Sequence, residues 1–227
     1  MKSDDILFFG DPHGNWDPLY EALEERPRAV IVLGDLAEAK LDPSGVQRAR
    51  DAFDAVLDAG AQLAFIVGNH DSGSDELWKL VEDYDQYRID GRVIDIDGLR
   101  IAGLGGVIRA RLWPGEGEPR YATEAELIAR TPRQERWRGG IPQVHRTTIM
   151  PWTVKELRLH QADVLITHEA PLPHQHGFGF LNDLALDMSA RMIVHGHHHQ
   201  TYSEVTDEGI GVQGVGLART WRLVLKS

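Results

Sequence analysis

A short apolar run that ends directly in a cluster of polar residues recurs five times along this chain. Continuous apolar runs of this length are typical of strands that are buried on both faces. In open α/β sheets, ligands bind just beyond the carboxyl ends of the strands, so the five clusters can converge on one site. The runs and their clusters are residues 6–9 with 10–15, 29–33 with 34–35, 63–67 with 68–71, 164–167 with 168–169, and 192–194 with 195–199.

The stretches between these runs predict helices, which crossover connections between parallel strands require. An acidic residue followed by proline, at Asp17 and again at Asp42, predicts a helix with the acid as its N-cap and proline in the first position. The Thr-x-x-Glu segments 123–126 and 153–156 have the spacing of capping boxes. The predicted helices cover about residues 17–25, 42–60, 74–84, 123–130, 153–161 and 182–190.

Two regions depart from the alternation of strand and helix. The Asp-Gly pair at 97–98, between two apolar runs, is a strong hairpin signal. Beyond residue 199, three further strands are predicted, as antiparallel additions or as a second sheet. They cover residues 201–205, 210–217 and 221–225.

Residues 107–152 form a stretch rich in Arg, Pro and Trp with weak periodicity. We interpret it as an insertion, or lid, that covers the site rather than as a separate domain. Residues 1–227 are then a single domain, a size that suits the length of the chain. Trp113 and Trp137 of this stretch are expected to pack the insertion, with stacking on a base as the alternative.

Composition excludes several classes of protein. There is no cysteine, so any metal must be bound by oxygen and nitrogen ligands. The net charge of −11 repels nucleic acid, which is therefore not an expected partner. No apolar run approaches the roughly 18–20 residues that cross a bilayer, and the polar, acidic N-terminus is unlike a signal peptide. No membrane association is expected, and the cytoplasm is the expected compartment.

The polar clusters contain residue types that bind metals. Imidazole and carboxylate together suit Mn²⁺, Fe or Zn²⁺, whereas an all-oxygen Mg²⁺ or Ca²⁺ cage would not use so many histidines. There are too many candidates for one metal, whereas two metals about 3.5–4 Å apart that share one carboxylate would use them naturally, an arrangement that recurs in phosphatases and nucleases. The candidates are Asp11, His13, Asp35, Asn69, His70, His168, His197 and His199.

The order of the motifs resembles that of the calcineurin-like metallophosphoesterase superfamily, in its small prokaryotic type. The motifs are Asp-x-His at 11–13, Gly-Asp at 34–35, Gly-Asn-His-Asp at 68–71, a single histidine at 168, and Gly-His-x-His at 196–199. The resemblance implies an α/β fold, a four-layer αββα sandwich with two mixed β-sheets. It also implies a dinuclear metal site at the carboxyl ends of the strands.

The resemblance also implies a role for each motif residue. A metal-bridging hydroxide would attack phosphorus in line, and His70 would be the general acid for the leaving group. Asp35 would bridge the two metals. The first metal would be held by Asp11, His13 and His199, and the second by Asn69, His168 and His197.

The second motif departs from the pattern of the serine/threonine protein phosphatases of this superfamily. Ala39 stands where those enzymes have a phosphate-binding arginine, which argues against that subgroup. Glu38 keeps an acid that could orient His70. A phosphate-clamping arginine could instead be Arg109 or Arg111.

The remaining histidines have less specific expectations. His198 should point away from the metals, because an extended loop would direct His197 and His199 to adjacent ions. Gly196 should permit a tight turn, and His195 should serve packing or support the metal ligands from behind. The His-x-His segment 174–176 is expected in a loop near the mouth of the site, and Asp71 is expected to be structural or to support the residues that bind metal.

The sequence therefore predicts a metal-dependent hydrolase of phosphate mono- or diesters that acts on a small phosphate ester. Alternatives are a nuclease or cyclic nucleotide phosphodiesterase, or a non-catalytic, metal-stabilised scaffold for protein binding. The acidic charge argues against a nuclease. The full set of ligand motifs, together with His70, argues against a scaffold. The substrate, the native metals and the oligomeric state stay open.

Overall fold

A computed structural model describes residues 5–224. Within them the strands are β1 Asp5–Gly10, β2 Ala29–Val32, β3 Gln62–Phe65, β4 Val93–Ile96, β5 Leu99–Leu104, β6 Val164–Thr167, β7 Met192–His195, β8 Tyr202–Val205, β9 Gly211–Gly214 and β10 Arg219–Val224. The α-helices are α1 Asp17–Leu23, α2 Ser44–Asp58, α3 Asp75–Asp83, α4 Glu124–Arg130, α5 Pro151–Leu157 and α6 Gly179–Asp187.

The strands form two mixed sheets. The four-stranded sheet has the order β10-β1-β2-β3, in which β1, β2 and β3 are parallel and β10 is antiparallel to β1. The six-stranded sheet has the order β4-β5-β6-β7-β9-β8, in which β4 and β8 are the antiparallel edge strands. The predicted pair of mixed sheets is confirmed.

Alternation along the strands builds the four layers. In β1, Ile6 and Phe8 belong to the apolar cluster between the two sheets, whereas Leu7 and Phe9 pack against the helices α1–α3. A third cluster packs α5 and α6 on the outer face of the larger sheet. Burying one such side chain stabilises the fold by about 1.5–3 kcal/mol, so the three apolar clusters hold the layers together. The layers are therefore α, β, β and α, as predicted.

The elements around residue 98 and beyond residue 199 agree with the sequence. Asp97 and Gly98 both have positive φ, 51° and 87°, as a two-residue type I′ hairpin turn requires. The three strands predicted after residue 199 correspond to β8, β9 and β10. The predicted end of the last strand at residue 225, and both ends of the predicted 1–227 domain, lie outside the described residues.

Several predicted helix starts are wrong by one to three residues. Trp16 is the N-cap of α1, with Asp17 already inside the helix, and α2 begins at Ser44 with Pro43 as its N-cap. In α5, Pro151 fills the first turn and Met150 is the N-cap, so the 153–156 capping box does not form. At 123–126 only the first half of the box forms: the Thr123 hydroxyl accepts the Glu126 N–H at 3.2 Å, whereas Glu126 Oε2 accepts the N–H of Ala122 and not that of Thr123.

The segment 107–150 contains α4 and three short 3-10 helices, and it packs on the body of the molecule. Trp113 lies against Phe180 with ring centroids 5.0 Å apart. The Trp137 indole N–H donates to Asp75, and the Arg146 guanidinium lies 4.0 Å from its ring centroid. Both tryptophans therefore pack the segment.

Within residues 5–224, no helix combines the length and the apolar composition needed to span a membrane.

Candidate dinuclear metal centre

The polar residues beyond β1, β2, β3, β6 and β7 meet where the two sheets face each other. Asp35, which follows β2, has its Oδ2 3.3 Å from Nε2 of His168, which follows β6 in the other sheet. The His70 backbone N–H donates to Asp35 Oδ1 at 2.8 Å, and the His197 N–H donates to Asp11 Oδ2 at 2.8 Å. The structure thus brings the predicted ligands together, although they are spread from residue 11 to residue 199.

One ligand group contains Asp11, His13 and His199, whose ligand atoms all lie within 4.8 Å of one another. The Nε2 atoms of His13 and His199 are 3.1 Å apart. These are the three residues that the resemblance implies for the first metal.

A second group contains Asp35, His168 and His197, again with ligand atoms within 4.8 Å. The Asn69 amide oxygen is 3.2 Å from His168 Nε2 and therefore lies beside this second group. Asp35 Oδ2 is 3.3 Å from His168 Nε2 and 3.5 Å from His13 Nε2. One carboxylate oxygen therefore faces an imidazole of each group, which is the position of a bridging ligand.

The backbone at these residues is unusual. Of the ten non-glycine residues with positive φ in the described chain, five are predicted ligands: Asp11, His13, Asp35, His197 and His199. Such conformations cost on the order of 1–3 kcal/mol each and cluster at functional sites. The expectation of an extended loop at His197 and His199 is wrong, because both have left-handed backbone, with φ of 70° and 56°.

Two glycines leave room for the carboxylates. A Cβ at Gly68 would lie 2.1 Å from Asp35 Oδ1, and a Cβ at Gly196 would lie 2.8 Å from Asp11 Oδ1. Gly196 is absent from the glycines with positive φ in the described residues. Its lack of a Cβ permits close approach to Asp11, and its carbonyl accepts the His198 N–H at 2.9 Å, which closes a tight turn that begins at Gly196.

Asp71 holds the loops after β2 and β3 in register. Its Oδ2 accepts the N–H groups of Asp35 and Gly68, at 3.1 and 2.7 Å, and its Oδ1 accepts that of Leu36 at 2.8 Å. Complete burial raises the pKa of Asp71 to about 8, and the charge of Asp35 adds to the rise. These contacts match the structural role expected for Asp71.

Hydrogen bonds at the far nitrogens set the orientation of two candidate ligands. His168 Nδ1 donates to the Leu33 carbonyl at 2.8 Å, and His13 Nδ1 contacts Glu38 Oε1. Each bond leaves Nε2 as the nitrogen that faces Asp35. Partners of this kind fix the tautomer and the ring plane of metal-binding histidines.

Glu38 also contacts His70. Its Oε2 is 3.0 Å from His70 Nδ1, and its Oε1 contacts His13, so one carboxylate positions both rings. The rings of His13 and His70 are 4.9 Å apart, and the His70 side chain is 38 % exposed. His70 thus lies beside the candidate ligand groups, with its Nδ1 held by Glu38. The possibility that Glu38 orients His70 agrees with this geometry.

The charges at the centre are arranged around Asp35 and His168. Burial would raise the pKa of Asp35, but His168 outweighs it and holds the pKa below its usual range. Burial would likewise lower the pKa of His168, yet Asp35 raises it to about 10. Burial lowers the pKa of His197 to about 4, so that ring is neutral and can donate a lone pair.

Asp11 shows that these residues fit a cation. Its Oδ1 is buried and has no hydrogen-bond partner in the described part of the chain, and burial raises its pKa to about 6. A buried carboxylate oxygen without a partner is costly unless a cation compensates it. Together with the imidazole and carboxylate donors around it, this oxygen fits divalent transition metals.

The two candidate clamp residues differ in their surroundings. Arg109 is half-buried, and its Nε donates to the Thr148 hydroxyl at 3.0 Å. Burial lowers the pKa of Arg109, and the nearby carboxylate of Glu169 opposes this shift. Arg111 is exposed. Arg109 stays a predicted substrate contact, with the better position of the two.

Sequence reasoning missed Glu169. This residue is 5 % exposed, and its Oε2 lies 3.8 Å from His197 Nε2. Its position directly after His168, inside a polar cluster at a strand end, was the signal that could have identified it.

The outer histidines make other contacts. His195 is buried, and its Nε2 accepts the Tyr202 hydroxyl at 2.6 Å, in agreement with a packing role. His198 stacks on His174 with ring centroids 4.2 Å apart.

The sequence model of the calcineurin-like phosphoesterase family matches residues 5–201. The chain belongs to this family. Members are hydrolases of small phosphoesters that generally bind two divalent metal ions.

Individual relatives agree with this assignment. An uncharacterized protein of Haemophilus influenzae is 40% identical over 216 residues, which cover 93% of this chain and 90% of that protein. The dimetal phosphatase from Danio rerio has a similar fold, with a TM-score of 0.60, 12% identity, and coverage of 100% of this chain and 94% of that chain. The phosphopantetheinyl hydrolase from Mycobacterium tuberculosis gives a TM-score of 0.57, 16% identity, and coverage of 95% and 91%.

Proposed function

We propose that this protein hydrolyses phosphate mono- or diesters of small molecules with a pair of divalent transition-metal ions, Mn, Fe or Zn. The observation that supports this most strongly is the position of Asp35 Oδ2, between His13 at 3.5 Å and His168 at 3.3 Å. A single carboxylate oxygen between two sets of donors is what a dinuclear centre needs.

The two ligand groups divide the metals between them. Asp11, His13 and His199 would hold one ion; Asn69, His168 and His197 would hold the other. Asp35 would bridge them. When bound, the ions would polarise the phosphoryl oxygens and lower the pKa of water so that it can attack phosphorus.

His70 is the proposed general acid. Its Nδ1 is held by Glu38, so the proton on Nε2 is the one available to the leaving-group oxygen. Its backbone N–H is fixed to Asp35, which places the ring beside the bridging carboxylate. Since a leaving group departs opposite the attacking oxygen, a substrate would bind with its ester oxygen toward His70.

The segment 107–152 is the proposed lid. The N–H of Ile108 donates to Glu169 Oε1 at 2.9 Å, which ties the start of the segment to the residue after His168. Arg109 follows directly and can bind a phosphoryl oxygen from this side. Its hydrogen bond to Thr148 restricts the guanidinium, which reduces the entropy lost when it binds substrate.

The test is hydrolysis by purified protein reconstituted with Mn²⁺, Fe²⁺ or Zn²⁺. The substrates are p-nitrophenyl phosphate, bis-p-nitrophenyl phosphate and a panel of nucleoside monophosphates and cyclic nucleotides. We expect metal-dependent turnover of at least one ester class. Protein that binds two metals yet hydrolyses none of these esters would overturn the proposal and favour a scaffold.

A further inference from the structure

A further set of potential metal ligands adjoins the centre. Glu169, His197 and His198, here called the outer group, have ligand atoms that all lie within 4.8 Å of one another. The outer group shares His197 with the proposed centre. In the function proposed above, Glu169 serves only to hold the backbone of Ile108, and His198 has no part.

Glu169 has an oxygen that the protein leaves available. Oε1 accepts the Ile108 N–H at 2.9 Å. Oε2 faces His197 Nε2 at 3.8 Å, which is beyond hydrogen-bonding distance. The residue is 5 % exposed, so water can compensate this oxygen only in part. A cation near Oε2 would satisfy it.

His198 has unused bonding capacity as well. Its Nε2 is buried and has no partner among residues 5–224. Its ring is held by stacking on His174, with centroids 4.2 Å apart and planes 25° apart. The His174 ring is fixed in turn, since its Nδ1 accepts the N–H of His176 at 3.2 Å. Like a preorganised metal ligand, His198 is therefore held in one orientation without a hydrogen bond to satisfy it.

We propose that the outer group binds a third divalent transition-metal ion. Ligands about 2.0–2.2 Å from a tetrahedral ion are about 3.3–3.6 Å from one another, so the 3.8 Å between Glu169 and His197 must shorten by only a few tenths of an ångström. His197 would bind the second ion of the centre with one ring nitrogen and the third ion with the other. Its ring proton would pass to solvent, which leaves a bridging imidazolate.

A third ion would connect two parts of the molecule. The loop of residues 195–199 would be joined to Glu169, and through Glu169 to Ile108 at the start of the 107–152 segment. The ion would thus hold the proposed lid against the metal-ligand loop.

Equilibrium dialysis against rising Zn²⁺, with bound zinc measured by mass spectrometry, tests the proposal. Wild type should saturate at one ion more than Glu169→Gln and His198→Ala. The control is His176→Ala, an exposed ring 5.7 Å from His198 that is outside the outer group. That variant should saturate like wild type.

If wild type and Glu169→Gln bind the same number of ions, the third site does not exist. A fall in His176→Ala equal to that in His198→Ala would also overturn it, because zinc would then be bound by surface histidines. Circular dichroism checks folding, and Glu169→Gln alone decides the matter if His198→Ala does not fold. The proposed function fails separately, if Asp35→Ala binds as much zinc as wild type.

Discussion

The loop of residues 195–199 separates two sets of histidines that the sequence makes look alike. On one side, His197 and His199 meet carboxylates that arrive from the other sheet, Asp35 and Asp11. On the other side, His195 contacts the hydroxyl of Tyr202, and His198 stacks on the ring of His174. The comparison teaches that the carboxylates of Asp11 and Asp35, and not histidine density, distinguish the side of the loop that faces the proposed dinuclear centre.

The pKa values show this difference at His168 and not within the loop, where burial lowers the pKa of both His195 and His197 to about 4. Asp35 raises the pKa of His168 to about 10, although burial acts against it. At His195 burial prevails, in the absence of a facing carboxylate, and lowers the pKa to about 4. A proton therefore stays on His168, beside Asp35, where a metal would replace it, whereas His195 is neutral.

Asp35→Ala should have the largest effect. The bridging carboxylate faces both ligand groups, so its loss should lower metal occupancy of both and reduce kcat/KM by about a thousandfold or more. Metal analysis and ester hydrolysis measure this. Asp51→Ala, an exposed carboxylate on α2, is the matched control and should behave as wild type. Full occupancy in Asp35→Ala would mean that Asp35 does not bridge.

His70→Ala should keep the metals and lose activity. Removal of a general acid typically costs about 10²–10⁴-fold in kcat. The loss should be smaller for p-nitrophenyl esters than for alkyl esters, because p-nitrophenolate needs no proton to leave. An equal loss for both leaving groups would remove His70 from the role of acid.

The raised pKa of His168 predicts that metal binding is coupled to the release of a proton. With a pKa near 10, His168 is protonated at pH 7–9 in the metal-free protein, so binding the second ion must release its proton. Affinity should rise by up to about tenfold per pH unit across this range. Calorimetry in buffers of different ionisation enthalpy counts the protons.

The raised pKa of His168 also determines how the stability of the metal-free protein depends on pH. A pKa raised above the unfolded value near 6.5 stabilises the metal-free fold fully below pH 6.5. This contribution disappears as the pH rises towards 10. Denaturation of metal-free protein that showed higher stability at pH 10 than at pH 7 would contradict the Asp35–His168 ion pair.

Tyr202→Phe should have the smallest effect. It leaves the buried His195 Nε2 without its donor, at a cost of about 1–3 kcal/mol in the free energy of unfolding. Denaturant unfolding measures the cost. Metal occupancy and hydrolysis should not change, and a loss of either would show that the two sides of the loop are not separate.

The sequence predicted the strands and the ends at which ligands gather, because buried parallel strands and metal-binding residue types both leave local patterns. The sequence was less successful at helix starts, because a proline and a capping residue within three residues of each other indicate different first residues. At α5, Pro151 decided the start and the Thr153 capping signal did not.

Tertiary roles were harder to predict. The sequence indicated an acid at position 38, but only the structure shows that Glu38 contacts both His13 and His70. The left-handed backbone at His197 and His199 also depends on tertiary contacts, such as the bond from the His197 N–H to Asp11. Glu169 was missed because its relation to His197 arises only where β6 and β7 lie side by side.

The central claim is the division of the ligands between two ions. Anomalous diffraction from crystals grown with Mn²⁺ tests it directly. For the dinuclear centre we predict two peaks about 3.5–4 Å apart on either side of the Asp35 carboxylate, one near His13 and His199, the other near His168 and His197, distinct from any peak of the proposed third ion beside Glu169 and His198. A single peak, or His197 and His199 bound to the same ion, would contradict the account.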